Sequence, residues 1–180
     1  MAVVSALAGI AALALLASAP PAAAKSCSGQ TAAPGSVSTS KAEKAVFCLL
    51  NMQRSKRGIG KLARNRQLDK PSAAHSQLMV DDKCFEHVCP GEKDLGDRLA
   101  AYLANGGRGY GENIAYGTGD FGSPKSIVKS WMGSEGHRRN ILDPDFEHIG
   151  IGVVWGAPIA GGTGGQGGAT YTTDFGWREG

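Results

Sequence analysis

Apolar residues recur along this chain at two spacings, and each spacing predicts its own kind of element. Between Ser40 and Gly58 the positions Val46, Leu49 and Leu50 follow a helical period, with Ser40 as N-cap, Glu43 three residues on, and Gly58 as the stop. A second helix is predicted from near Leu68 or Pro71 to Asp82, with Ala74, Leu78 and Met79 on one side and Pro71 in its first turn if it begins there. Leu95, Leu99 and Leu103, four residues apart, predict a third helix over 94–103 that Asn105, Gly106 and Gly107 end. Ser123 caps a fourth, with Pro124 in its first position, Ile127, Val128 and Trp131 inward, and Gly133 as its stop. Ser134 is expected to cap a short helical turn over 134–142 through its hydroxyl.

Toward the end of the chain the period falls to two. Ile149, Ile151 and Val153 alternate within 148–155, and Tyr171, Thr173 and Phe175 within 169–177, which predicts two strands. The glycine-rich residues 161–168 read as their flexible connection; no helix follows to make them a phosphate loop. Residues 106–111 and the Gly-Glu-Asn-Ile segment after them are expected to form no more than a turn or a brief strand. Helices mostly first and strands last, with no repeat, predict an α+β domain. Trp131, Trp155 and Phe175 are its expected core aromatics.

Residues 1–24 carry no charged side chain and hold an apolar run from Ala6 to Ala17, with small residues Ala22, Ala23 and Ala24 before Lys25. That reads as a secretory signal peptide, although its basic leader is missing. A membrane anchor is the alternative, but the run is shorter than the roughly 20 residues that span a bilayer. Residues 25–40, rich in Ser, Ala, Gly and Pro, read as a disordered linker or arm, and 41–180 as one domain, expected to be a secreted monomer. With 19 Lys and Arg against 16 Asp and Glu, scattered rather than clustered, the net charge of +3 gives no sign of a nucleic-acid partner. Nor is a stable membrane anchor expected.

Four cysteines in an exported chain predict disulfides, and four allow about three pairings. Cys84 with Cys89 would pin the loop around His87, and Cys27 with Cys48 would tie the arm to the first helix. A zinc site built from Cys84, His87 and Cys89 is the competing reading.

The candidate chemistry lies in His87, Glu112 and His137, two imidazoles and a carboxylate set among turn residues beside apolar anchors. Such a set suits metal ligation or acid/base work. The bland alternative is that Glu112 and Asn113 bond to the backbone of the glycine-rich turn while the two histidines cap loops. His75 reads as a partly buried helix-surface histidine bonded to a neighbour, His148 as solvent-facing, and Arg138, Arg139 and Asn140 as hydrogen bonders at the edge of the core.

Several segments, in order, resemble the CAP superfamily of SCP-like extracellular proteins, which includes cysteine-rich secretory proteins, antigen 5 allergens and plant pathogenesis-related proteins. They are Cys48-Leu-Leu-Asn-Met-Gln-Arg54, Ala73-Ala-His-Ser76, Phe85-Glu-His87, Asp97-Arg98-Leu99, Gly111-Glu-Asn-Ile-Ala115, Trp131-Met-Gly-Ser134, Gly136-His-Arg-Arg-Asn-Ile-Leu142, Ile149-Gly-Ile-Gly152 and Tyr171-Thr-Thr-Asp-Phe-Gly176. The resemblance implies an α-β-α sandwich with a central antiparallel sheet and a large cleft holding two histidines and two acids. Carried onto this chain, these are His87, His137 and Glu112, while the second acid's position holds Ser134. Glu135 is next to it, but one step along a helix turns a side chain by about 100°.

The resemblance also implies zinc or another divalent cation at His87 and His137, with Glu112 orienting an imidazole or taking a proton from bound water. Three functions follow as expectations: a secreted module binding an extracellular ligand, a metal-assisted hydrolase (protease or nuclease) using His87, Glu112 and His137, or a lipid or sterol carrier.

Overall fold

Serines and an asparagine just ahead of apolar stretches start the long helices, two of them earlier than their apolar periods suggest. The computed structural model describes residues 26–159 and 167–178; the predicted signal peptide and most of the predicted 161–168 connection lie outside them. Helix α1 (Thr39–Ser55) is capped by Ser38 rather than Ser40, its hydroxyl accepting the Lys41 N–H at 3.3 Å. Helix α2 (Arg66–Asp82) starts at its N-cap Asn65, so Pro71 lies inside the helix instead of in its first turn. Left-handed Lys83, at φ 52°, ends it. The predicted third helix is broken at Leu99 into α3 (Leu95–Arg98) and α4 (Ala100–Ala104). Helix α5 (Pro124–Gly133) has the predicted Ser123 cap. Before α6 (Glu135–Leu142), Ser134 makes no capping bond through its hydroxyl; its carbonyl accepts the Arg138 N–H at 2.9 Å.

Strands β1 (Ala63–Arg64), β2 (Gly107–Thr118), β3 (His148–Val154) and β4 (Gly168–Arg178) form one sheet in the order β1-β3-β4-β2. The β2–β4 and β4–β3 pairs are antiparallel, and the two-residue β1 joins β3 in parallel. The largest departure from the sequence reading is β2, a strand of 12 residues where no more than a brief one was expected. Its glycines hide the alternation because they sit where neighbours come close: a β-carbon at Gly117 would collide with the Phe121 backbone, and one at Gly111 would crowd Asn140 and Phe146 at 3.1 Å.

The sheet is covered on both faces. Ile149, Ile151, Val153, Tyr171 and Phe175 pack against Val46, Leu49, Leu50, Ile127, Val128, Trp131 and Ile141 of α1, α5 and α6. On the other face α2 lies so close that a β-carbon at Gly150 or Gly152 would run into its backbone at Leu68 or Ser72. The alternate positions of β4, namely Thr170, Thr172 and Asp174, therefore face a helix and are fully buried. Ser76 of α2 donates to Thr172 Oγ1 at 2.8 Å, one of the bonds that make this polar layer tolerable. The result is the expected α-β-α sandwich.

The arm is not loose over its described part. Cys27 is buried and bonded to Cys48, the Gln30 carbonyl accepts the Lys125 N–H at 2.8 Å, and the Val37 carbonyl accepts Trp155 Nε1–H at 3.1 Å. A covalent tie and backbone pairing order a segment whose composition alone does not. Cys84 pairs with Cys89, which leaves no thiolates for the Cys84, His87, Cys89 zinc site. No described helix is long and apolar enough to cross a membrane.

Candidate functional site

Strand β2 is an edge of the sheet, so segments from both helical layers reach the same stretch of it. Glu112, in the middle of β2, points to the α2 side, opposite Asp174 of β4 in the register. Asn113 points to the other side, where its Nδ2 donates to the His137 carbonyl of α6 at 3.1 Å and its Oδ1 accepts from Asn140 Nδ2 at 2.9 Å. Asn140 also donates to the Glu112 carbonyl at 3.1 Å, so α6 grips the strand at the two site residues.

The Cys84–Cys89 disulfide closes the loop that carries His87. The His87 ring is 58% exposed, yet its Nδ1 lies 2.7 Å from Oε1 of Glu112, a carboxyl that is 1% exposed. The other oxygen, Oε2, accepts from Arg98 Nη2 at 2.9 Å, and the same Arg98 nitrogen bonds the His87 carbonyl at 2.9 Å. One arginine thus holds both the carboxylate and the loop backbone. Burial pushes the Glu112 carboxyl up, but the His87 hydrogen bond and the Arg98, His75 and His87 charges outweigh it and hold it below its ordinary value. The bond to Glu112 raises His87 in turn.

His137 is half-buried. Loss of water, then the neighbouring His87 charge, lowers its pKa, so the two imidazoles feel each other across the edge of β2. Of the three candidates, His87 and Glu112 are in direct contact, while His137 is tied to β2 through its carbonyl, which accepts from Asn113. Among the described residues no group of three or more His, Cys, Asp and Glu side chains is arranged to hold a metal ion.

Glu135 pairs with Arg139 at 3.0 Å on the exposed surface and does not replace the acid missing at Ser134. Arg138 donates to the Met132 carbonyl at 3.0 Å. His148 does not face solvent as expected: it is half-buried, with Nδ1 3.1 Å from the Tyr102 hydroxyl, and burial lowers its pKa.

Sequence reasoning missed the inner part of the site. His75 is wholly buried, with Nδ1 2.8 Å from Glu92 and Nε2 3.9 Å from Glu112. Glu92 also accepts the Cys89 N–H at 3.1 Å and stands 3.5 Å from Arg98. A signal for His75 exists: with Leu68, Ser72, Ser76 and Met79 it lies on the buried stripe of α2. Nothing local marks Glu92. Hollows of 280 Å³ and 720 Å³ flank this cluster along α2, and Arg98 lines both. Beside His87 the ring of Phe85 meets Tyr116 edge-on at 4.8 Å, and both stay partly exposed.

A curated Bacillus subtilis relative, the uncharacterized protein YkwD, is 42% identical over 137 residues, which is 74% of this chain and 50% of its own length. The uncharacterized membrane protein YlbC of the same organism is 34% identical over 111 residues, 62% of this chain and 31% of its own length. The chain thus spans half or less of these relatives. An extracellular Bacillus anthracis protein containing an SCP domain superposes with a TM-score of 0.61 at 28% identity, over 80% of this chain and 45% of that one. An outer surface protein of Borrelia burgdorferi shares the fold, with a TM-score of 0.66 at 16% identity over 79% of this chain and 97% of that one. The model of the cysteine-rich secretory protein family matches residues 48–159, and with the sandwich, the two disulfides and the edge-strand cluster in place, the chain belongs to the CAP, or cysteine-rich secretory protein, family.

Proposed function

We propose that this protein is a secreted extracellular binding module whose recognition surface is the His87 and His137 imidazoles with the Phe85 and Tyr116 rings beside them, and that a divalent cation such as zinc is one ligand of that surface. The observation that carries the reading is the exposed His87 ring fixed through Nδ1 by the buried Glu112 at 2.7 Å. A carboxylate behind an imidazole sets its tautomer and leaves Nε2 free toward solvent, the arrangement that supports metal-binding histidines. Two disulfides agree with an oxidising, extracellular setting.

His87 and His137 would hold the ion, and the ion would supply a positive, water-carrying centre at the surface. The raised pKa of His87 means that a proton competes for it, so affinity should rise as pH increases through that value. A hydrolase using Glu112 has less support. That carboxyl is enclosed and already bonded to His87 and Arg98, and the second acid position holds Ser134.

Zinc titration followed by thermal unfolding and by the histidine ring signals tests the proposal. Stabilisation is expected in the wild type and should be absent in His87→Ala and His137→Ala. Equal stabilisation of all three proteins would show that zinc binds elsewhere.

A further inference from the structure

The Asp174 carboxyl, facing Glu112 from the adjacent strand, has no exposed surface, and among the described residues no cation forms an ion pair with it. Its Oδ1 has no hydrogen-bond partner among the described residues, and its Oδ2 lies 2.8 Å from the Ser72 hydroxyl. That same hydroxyl is 2.8 Å from the Leu68 carbonyl, which can only accept. Ser72 brings one proton to three acceptors, Leu68 O and the two Asp174 oxygens, while the donors of the neighbouring Glu112, His87 and Arg98, make no hydrogen bond to Asp174. The set is short of donors. If both carboxyls were ionised, two like charges would sit side by side without water, an arrangement that proteins relieve by keeping a proton.

We propose that Asp174 is a neutral carboxylic acid that donates its proton to Glu112, so that the pair carries one proton and one negative charge and Asp174 acts as a positioning residue for Glu112. Glu112 then receives three donors, from His87, Arg98 and Asp174, and its orientation toward His87 is fixed from behind. This places a second carboxyl at the site through the sheet, where the position after α5 has Ser134. The groups facing Asp174 are Ser72 from α2, Glu112 from β2 and, by its charge, Arg98 from α3; its β3 partner is Gly150, with no side chain. Burial and the Glu112 charge push the Asp174 carboxyl well above its usual range, against Ser72 and Arg98. The inference holds whether or not an ion binds at His87 and His137.

Asp174→Asn keeps the shape and a donor while removing the titratable proton. Under native conditions at neutral pH its electrophoretic mobility should equal that of the wild type, and under denaturing conditions the two should differ by one charge. In denaturant melts the variant should gain stability at neutral pH, because the wild type must take up a proton to fold; the gain should vanish in acid, below the ordinary aspartate value. A native mobility difference of a full charge, or a stability change of the same size at both pH values, overturns the proposal. If the variant does not fold, isotope-labelled aspartate in the wild type decides. One aspartate carboxyl should keep its acid-form signal at neutral pH, and a spectrum with every aspartate ionised there overturns the proposal.

Discussion

Glu112→Gln isolates the role of the buried negative charge, because the amide fits the same space and can still accept a bond from Arg98. Arg98 is 8% exposed, and in the variant its remaining ion-pair partner is Glu92 at 3.5 Å. Breaking a buried ion pair by removing one partner costs roughly 3–5 kcal/mol. Glu92 offsets part of that, so we expect a loss of about 3 kcal/mol, near the lower end of that range. For a domain of this size each kcal/mol moves the midpoint by about 2–4 °C, giving a fall of roughly 6–12 °C. The sign with pH follows from the depressed folded-state pKa of Glu112: the stabilisation is present above the unfolded value of 4.5 and is lost as pH falls through the lower folded value. Urea unfolding with the disulfides intact, at neutral and at acid pH, is the assay. The double variant Glu112→Gln with Arg98→Met should lose less than the sum of the single losses, since it leaves no orphaned charge. A loss below about 1 kcal/mol at neutral pH, the size of an exposed pair, would refute the reasoning. So would a loss that persists undiminished in acid.

Three further outcomes are expected. Arg54, 1% exposed, donates to the carbonyls of Gly60, Ile141, Asp143 and Phe146 and ties α1 to the α6–β3 connection; Arg54→Met strands acceptors at about 1–3 kcal/mol each and should lower the midpoint in thermal unfolding by more than any exposed arginine change. In NMR titrations the His87 ring should titrate above its ordinary value of 6.5 and His137 below it, and Glu112→Gln should bring His87 down; the stability that His87 contributes is present below 6.5 and lost as pH rises through its folded value. Replacing Cys27 and Cys48 together by serine reopens a loop of 21 residues and should cost about 3 kcal/mol in denaturant unfolding, while opening the short Cys84–Cys89 loop should mainly broaden the His87 signals.

Local patterns settled a good deal. Helical periods placed α1, α2 and α5, alternation placed β3 and β4, the favoured one of three cysteine pairings is the one that forms, and the motifs carried the family and named His87, Glu112 and His137 as candidates. These features depend on neighbours in sequence or on residue types that chemistry requires. What a residue touches across the fold left weaker traces. The glycines of β2 hide its alternation because they answer to Tyr102, Asn140 and Phe121, which lie elsewhere in the chain. Alternation in β4 marked a strand without saying that α2 would cover its polar side, and that cover turns Asp174 from a surface acid into a buried partner of Glu112. His75, Glu92 and Arg98 join them only when α2, the segment that follows the disulfide loop and α3 meet. A charge's pKa and its partners depend on burial and distance, and those exist only once the layers have packed.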